Sequence, residues 1–328
     1  MTRRRVLRSL ALSLAPCAVL PFGPPAHAEA GGLLRLLCSG PAGSIPDLVA
    51  RAVAEPLSAT LGRRVIVDNR PGAAGQLSVA ALKAAPPDGA TLLLAQGAIA
   101  TVYPWLYPRL AYDPDADLLP VSLASETTLA LATGPAVPAS VATLAGLLDW
   151  LRRHPAAANV GSPGTGTLPH LLAALLFREA GVAWQHIAYS GGPPAVNDLL
   201  GGQIAALVLP EGLLRQHHAS GRLRVLATSG PGPSAYLPDV PSLAEQGHPD
   251  LIVKEWFAVF APRGTPRDTV AGLAGALREA IGQPALATVF AQAGMTPVSS
   301  SPAALAARIA AEQRHWRPVL QTLGIQAD

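Results

Sequence analysis

The sequence predicts an α/β protein of two packed domains, and three observations carry that prediction. Half of the 328 residues are hydrophobic, enough apolar material for two cores. Short apolar runs alternate with segments of helical period, the order that gives parallel sheets covered by helices. Proline and glycine, 33 and 31 residues, fall mainly between those segments, where turns need them.

The elements follow in chain order. Residues 33–38 read as a strand, and 47–61 as a helix with Leu48, Val49, Val53 and Leu57 at helical spacing. Strand 64–68, helix 76–85 and strand 91–95 come next. Then come strand 129–133, helix 141–153, strand 159–161, helix 168–180 and strand 184–189. Residues 194–200 read as helical, and 204–209 and 224–228 as strands. The tail from 268 to 323 is Ala/Leu-rich and helical in period. Asp113, Asp115 and Asp117 stand in proline-rich sequence and read as a solvated loop.

The N-terminus has the layout of an export signal. Four arginines fall between Arg3 and Arg8, an apolar run spans 10–22, and Ala26-His27-Ala28 is a small-x-small cleavage site. The paired arginines fit twin-arginine export, with ordinary secretion as the alternative. Pro16 and Pro21 break the apolar run, which is too short for a membrane anchor. Leu14 to Cys17 resembles a lipid-attachment box, but the proline before the cysteine fits it poorly. Cleavage after Ala28 takes 28 of 328 residues and leaves 300. It removes four of 24 basic residues and none of 21 acidic ones, so the net charge becomes −1. The basic character of the whole chain therefore belongs to the signal and gives no support for a nucleic-acid partner.

Cys38 is the lone cysteine after the signal and sits in an apolar run, as a buried core thiol would. No metal site is expected: cysteine pairs are missing, and His217 and His218 are adjacent rather than at ligand spacing. Nucleophile-elbow and zinc-protease motifs are also missing. The expectation is a protein that is not an enzyme and carries no cofactor.

Three strand-to-helix loops are candidates for binding. In 41–47, Gly43 permits a tight turn and Pro46 suits a helix start. The N–H groups around Ser44, Ile45 and Asp47 form an anion site at the positive end of the helix, with Asp47 equally readable as the cap of that end. In 161–170, three glycines allow close backbone approach, and Thr165, Gly166, Thr167 and His170 stand at the helix start. The plain alternative is a glycine-rich turn with Thr167 as N-cap and His170 as a structural histidine. Thr167 occupies the position where a phosphate-binding loop needs lysine, which excludes nucleotide binding of that kind. In 189–194, Tyr189 and Gly191 begin a third such loop. Three loops at strand-to-helix junctions are what a ligand crevice in an α/β sheet requires.

With these segments in view, the mature chain resembles the solute-binding proteins of tripartite tricarboxylate transporters along nearly its whole length. The matching segments keep the family's order: Pro41-Ala42-Gly43 with Asp47 and Arg51, residues 67–75, residues 85–89, Tyr112-Asp113-Pro114 with Pro120-Val121-Ser122, and residues 161–170. Residues 189–192 and 197–203, Leu237 to Pro241, Trp256-Phe257 and residues 261–266 complete the series. The resemblance implies a type II periplasmic binding fold, two lobes with a parallel-rich sheet in each and a cleft between them. It places lobe one at 29–124 plus 257–328 and lobe two at 125–256. It implies a periplasmic monomer that holds a small carboxylate through backbone N–H groups, hydroxyls and waters and presents it to membrane permease subunits. A sensing partner of a membrane histidine kinase, or a secreted enzyme of the same fold class, is the alternative.

Three departures from the family pattern bear on the ligand. Ser44 stands for the second glycine of the first loop and Pro46 for its hydroxyl residue, Ala98-Ile99-Ala100 replaces a Gly-Thr-His run, and Leu209 replaces a strand-end aspartate. Ile99 and Leu209 point to an aromatic or aliphatic monocarboxylate.

Overall fold

A computed structural model describes residues 32–327. The export signal, with its cleavage site after Ala28, lies outside the described residues.

The chain opens as βα units. Strand β1 (Leu34–Cys38) leads into α1 (Ile45–Leu61), then β2 (Val65–Asn69), α2 (Gln76–Lys83) and β3 (Thr91–Gln96). Three short helices, α3 (Ala98–Thr101), α4 (Tyr103–Leu106) and α5 (Pro114–Asp117), precede the long strand β4 (Leu118–Thr133). Helix α6 (Leu144–Arg153), β5 (Asn159–Ser162), α7 (Leu168–Glu179), β6 (Gln185–Ala188), α8 (Gly192–Leu200) and β7 (Ala206–Pro210) follow. After α9 (Gly212–Ala219) and β8 (Arg224–Thr228), strand β9 (Lys254–Pro262) returns the chain to the first sheet. Helices α10 (Arg267–Ile281) and α11 (Pro284–Gln292), the two-residue β10 (Thr296–Pro297) and α12 (Pro302–Leu323) finish it.

Strand β4 belongs to two sheets. Its first part pairs antiparallel with β9 and β10, extending the order β2-β1-β3-β9. From Leu129 onward it pairs antiparallel with β7 and β8, beside the parallel strands β5 and β6. Each sheet thus has a parallel half, built from the βα units legible in the sequence, and an antiparallel half built on β4. The strand expected at 129–133 is only the end of β4. Ser122, Ser125, Glu126, Thr127 and Thr128 interrupt its apolar pattern, yet several are anchored from the C-terminal segment. The Leu123 N–H donates to Ser300 Oγ and the Ser300 N–H to Ser122 Oγ, and the Thr127 hydroxyl donates to the Gly294 carbonyl, each at 3.0 Å.

Other differences have equally local causes. Leu48 is partly exposed, and α1 buries Ile45, Asp47, Val49, Ala50, Val53 and Leu57 instead. Asp113 caps α5 by accepting from the Asp115 N–H at 2.9 Å, and Asp117 accepts from the Asp113 N–H and from Lys83. The Asp113 and Asp117 carboxylates therefore organise a turn, while Asp113 and Asp115 stay exposed as a solvated segment would. The helical tail breaks at Gly282 and again before β10, where Ala293 and Gly294 pack onto Gly212. Cys38 is buried, and burial pushes its thiol up to about 12. Among the described residues no helix is long and apolar enough to cross a membrane.

Candidate functional site

A cavity of about 390 Å³ lies between the two sheets, inside the range of small-molecule sites. Its walls are the loops that follow β1, β2, β5 and β6, with Gln96, Leu209, Leu213, Glu255, Phe257 and Tyr107 between them. Helices α1, α2, α7 and α8 all begin at these loops. The first turn of a helix leaves N–H groups without intrahelical acceptors, and its end carries roughly half a positive charge. Among the described residues no lysine, arginine or histidine lines the cavity. Its positive character therefore comes from backbone, and a carboxylate is the group such a wall solvates best.

The first loop is held by Asp47 from behind. Its carboxylate accepts from the Gly43 N–H at 2.9 Å, from Asn69 Nδ2 at 2.9 Å and from Arg51 Nε at 3.0 Å. Burial alone would raise its pKa, but bonds from Arg51, Gly43 and Asn69 together hold it below the usual carboxylate value. Asn69 also donates to the Gly40 carbonyl at 2.9 Å, tying the loop to β2. Gly43 takes φ +77, a turn few other residues would tolerate.

The loop after β2 is strained. Ala73 and Ala74 both have positive φ, at 45° and 52°, between Gly72 and Gly75. Such alanines cost about 1–2 kcal/mol each. The Ala74 carbonyl is clamped by Gln96 Nε2 and by the Tyr103 hydroxyl, each at 2.7 Å, and Ser39 holds the far end of Gln96 at 2.7 Å.

The loop after β5 rests on two stacked histidines. The Gly166 N–H donates to His170 Nδ1 at 3.0 Å, and the His170 and His186 rings stack at 3.8 Å. Ser162 Oγ lies 2.8 Å from His186 Nε2 and 3.1 Å from the Gly164 carbonyl. The Gly166 N–H fixes His170 Nδ1 as a bare, accepting nitrogen. Burial lowers His170 to about 3, with His186 adding to the effect, and lowers His186 to about 4.

The loops meet across the cleft. A Cβ on Gly191 would stand 2.8 Å from Pro41, and one on Gly164 would stand 3.4 Å from Ala74. The Tyr107 hydroxyl donates to the Thr165 carbonyl at 3.0 Å.

Of the residues expected from sequence, Ser44, Ile45, Thr165, Thr167, Tyr189 and Gly191 line the cavity. Gly43, Asp47, Gly166 and His170 do not; they stand behind the wall and set its shape. Some donors expected to be free are already engaged. The Ser44 N–H and hydroxyl both go to the Pro41 carbonyl, Thr167 Oγ1 donates to the Gly164 carbonyl, and the Tyr189 hydroxyl donates to Asp198. Ser44, not Asp47, is the N-cap of α1. Leu209 lines the cavity as its departure from the family suggested, while Ile99 is buried elsewhere and lines none of it. The loop 71–76, Gln96 and Glu255 escaped the loop analysis. The cluster of small residues at 71–75 was the available signal for the first of these.

A cleft closed by loops from two sheet-bearing lobes and lined by helix ends defines a two-lobed binding-protein fold. Residues 49–325 match the tripartite tricarboxylate transporter family receptor, and the chain belongs to that family. It is 34% identical to protein BugT of Bordetella pertussis over 292 residues, 89% of each chain. An R. palustris structure with adipate superposes with a TM-score of 0.85 at 27% identity, covering 90% of this chain and 98% of that one. MatC from Rhodopseudomonas palustris with bound malate gives a TM-score of 0.82 at 28% identity, with 88% and 99% covered.

Proposed function

We propose that this protein captures a small carboxylate in the periplasm, between two lobes, and delivers it to a permease of the tripartite tricarboxylate type. The observation that carries the reading is the convergence of four helix N-termini on one cavity whose lining lacks basic side chains. Such a wall binds a carboxylate by N–H donation, with no counter-ion to desolvate. The two relatives solved with adipate and malate support the same ligand class. The lobes are assigned to 29–124 plus 257–328 and to 125–256, with β4 and the segment entering β9 as the connections. The role is binding rather than catalysis: the Ser162–His186 pair lies outside the cavity lining.

The test is a thermal-shift screen of the mature protein against mono-, di- and tricarboxylates and amino acids. A ligand at 100 times its Kd stabilises the fold by about 2.7 kcal/mol. A clear rise in Tm with one acid class supports the reading. A folded sample that responds to none of them contradicts it.

A further inference from the structure

One wall of the cavity carries a lone acid. Glu255 stands on β9 opposite Thr127 of β4, and its side chain lines the cavity beside Leu209, Leu213 and Phe257. It is only 4% exposed, and among the described residues no hydrogen-bond donor reaches its carboxyl group. Its neighbour Lys254 is exposed and belongs to another pocket, as strand alternation requires, so it supplies no charge here. Burial pushes Glu255 up to about 8. A buried carboxyl group without a partner is costly, and breaking a buried pair is far more so. The cavity thus has helix N-termini on several walls and a lone acid among apolar side chains on another.

We propose that Glu255 is the counter-ion for a protonated nitrogen on the ligand, so that the cavity selects zwitterions: carboxylate toward the helix ends, ammonium toward Glu255. This deepens the carboxylate reading and rests on it. An ammonium brings three donors to a carboxyl group that has none. The ammonium draws the proton from Glu255 and forms an ion pair, whereas a second ligand carboxylate could be accommodated only by the protonated acid.

The experiment is calorimetric titration of the mature protein and of Glu255→Gln with three matched series. These are glycine, β-alanine, 4-aminobutyrate and 5-aminovalerate; the unsubstituted acids from acetate to valerate; and the dicarboxylates from malonate to adipate. The best amino acid is expected to bind wild type at least about 30-fold tighter than its unsubstituted partner, the low end for removing one member of a buried pair. Glu255→Gln, shown folded by circular dichroism, is expected to erase that preference, so that the amino acid and its unsubstituted partner bind the variant within about twofold of each other. The proposal is overturned while the carboxylate reading stands if unsubstituted or dicarboxylic acids bind wild type as well as the amino acids. It is equally overturned if Glu255→Gln keeps the preference, which would make Glu255 a neutral hydrogen-bonding group. If no acid of any series binds, the carboxylate reading falls and the proposal with it.

Discussion

Replacing Asp47 with alanine removes the acceptor that three groups share. The Gly43 N–H and the Asn69 amide each lose a bond to a charged oxygen, worth about 1.5–3 kcal/mol apiece. The Arg51 side chain is more than half exposed, so its pair adds little. Relief from burying a carboxylate offsets part of the loss, and a net destabilisation of about 3 kcal/mol is expected. That corresponds to a Tm lower by roughly 5 °C for a mature chain of this size. Asp47→Asn keeps one acceptor oxygen and should lose about half as much. The sign with pH is fixed by the depressed pKa. The stabilisation is full above the unfolded carboxylate value near 4 and disappears as acid titrates the folded group, so the two proteins converge at low pH. Urea unfolding at several pH values measures this. An Asp47→Ala protein within about 0.5 kcal/mol of wild type at pH 7, or a gap unchanged at pH 3, would refute the reasoning.

Two further predictions concern what lies beneath the cavity wall. Gly97 follows β3, and a Cβ there would stand 2.2 Å from the buried Trp256 indole; Gly97→Ala should cost about 2–3 kcal/mol by denaturation, and a neutral result would mean that the packing is looser than described. His170 and His186 are neutral in the fold well below the unfolded histidine value, so their contribution is full above about pH 6.5. It falls by up to about 1.4 kcal/mol per pH unit for each as the pH drops toward 4. The double variant His170→Asn with His186→Gln should flatten that slope in urea unfolding curves, and an unchanged slope would assign it to other groups.

Much of the fold could be read locally. The βα units from β1 to β3 and from β5 to β7 showed themselves because each strand is a short apolar run closed by glycine or proline. The candidate loops were visible for the same reason. Strands β4 and β9 were hidden because their neighbours are distant in sequence. Ser122 looks like a break in a strand until Ser300 is brought beside it. Glu255 looks like an exposed acid next to Lys254 until β9 pairs with β3 and β4 on both edges. His170 was placed correctly at the start of α7, but its direction depends on His186, sixteen residues away on β6, whose ring takes the other face. Pattern located the loops, and long-range packing decided which residues face the cavity.

The central claim is that backbone N–H groups at the converging helix ends hold the ligand's carboxylate. A crystal structure with the tightest acid from the thermal-shift screen tests it most directly. The account predicts carboxylate oxygens within about 2.7–3.2 Å of N–H donors from the loops before α1, α2, α7 or α8. A carboxylate held by an arginine or lysine side chain, or bound outside the cleft, would contradict it.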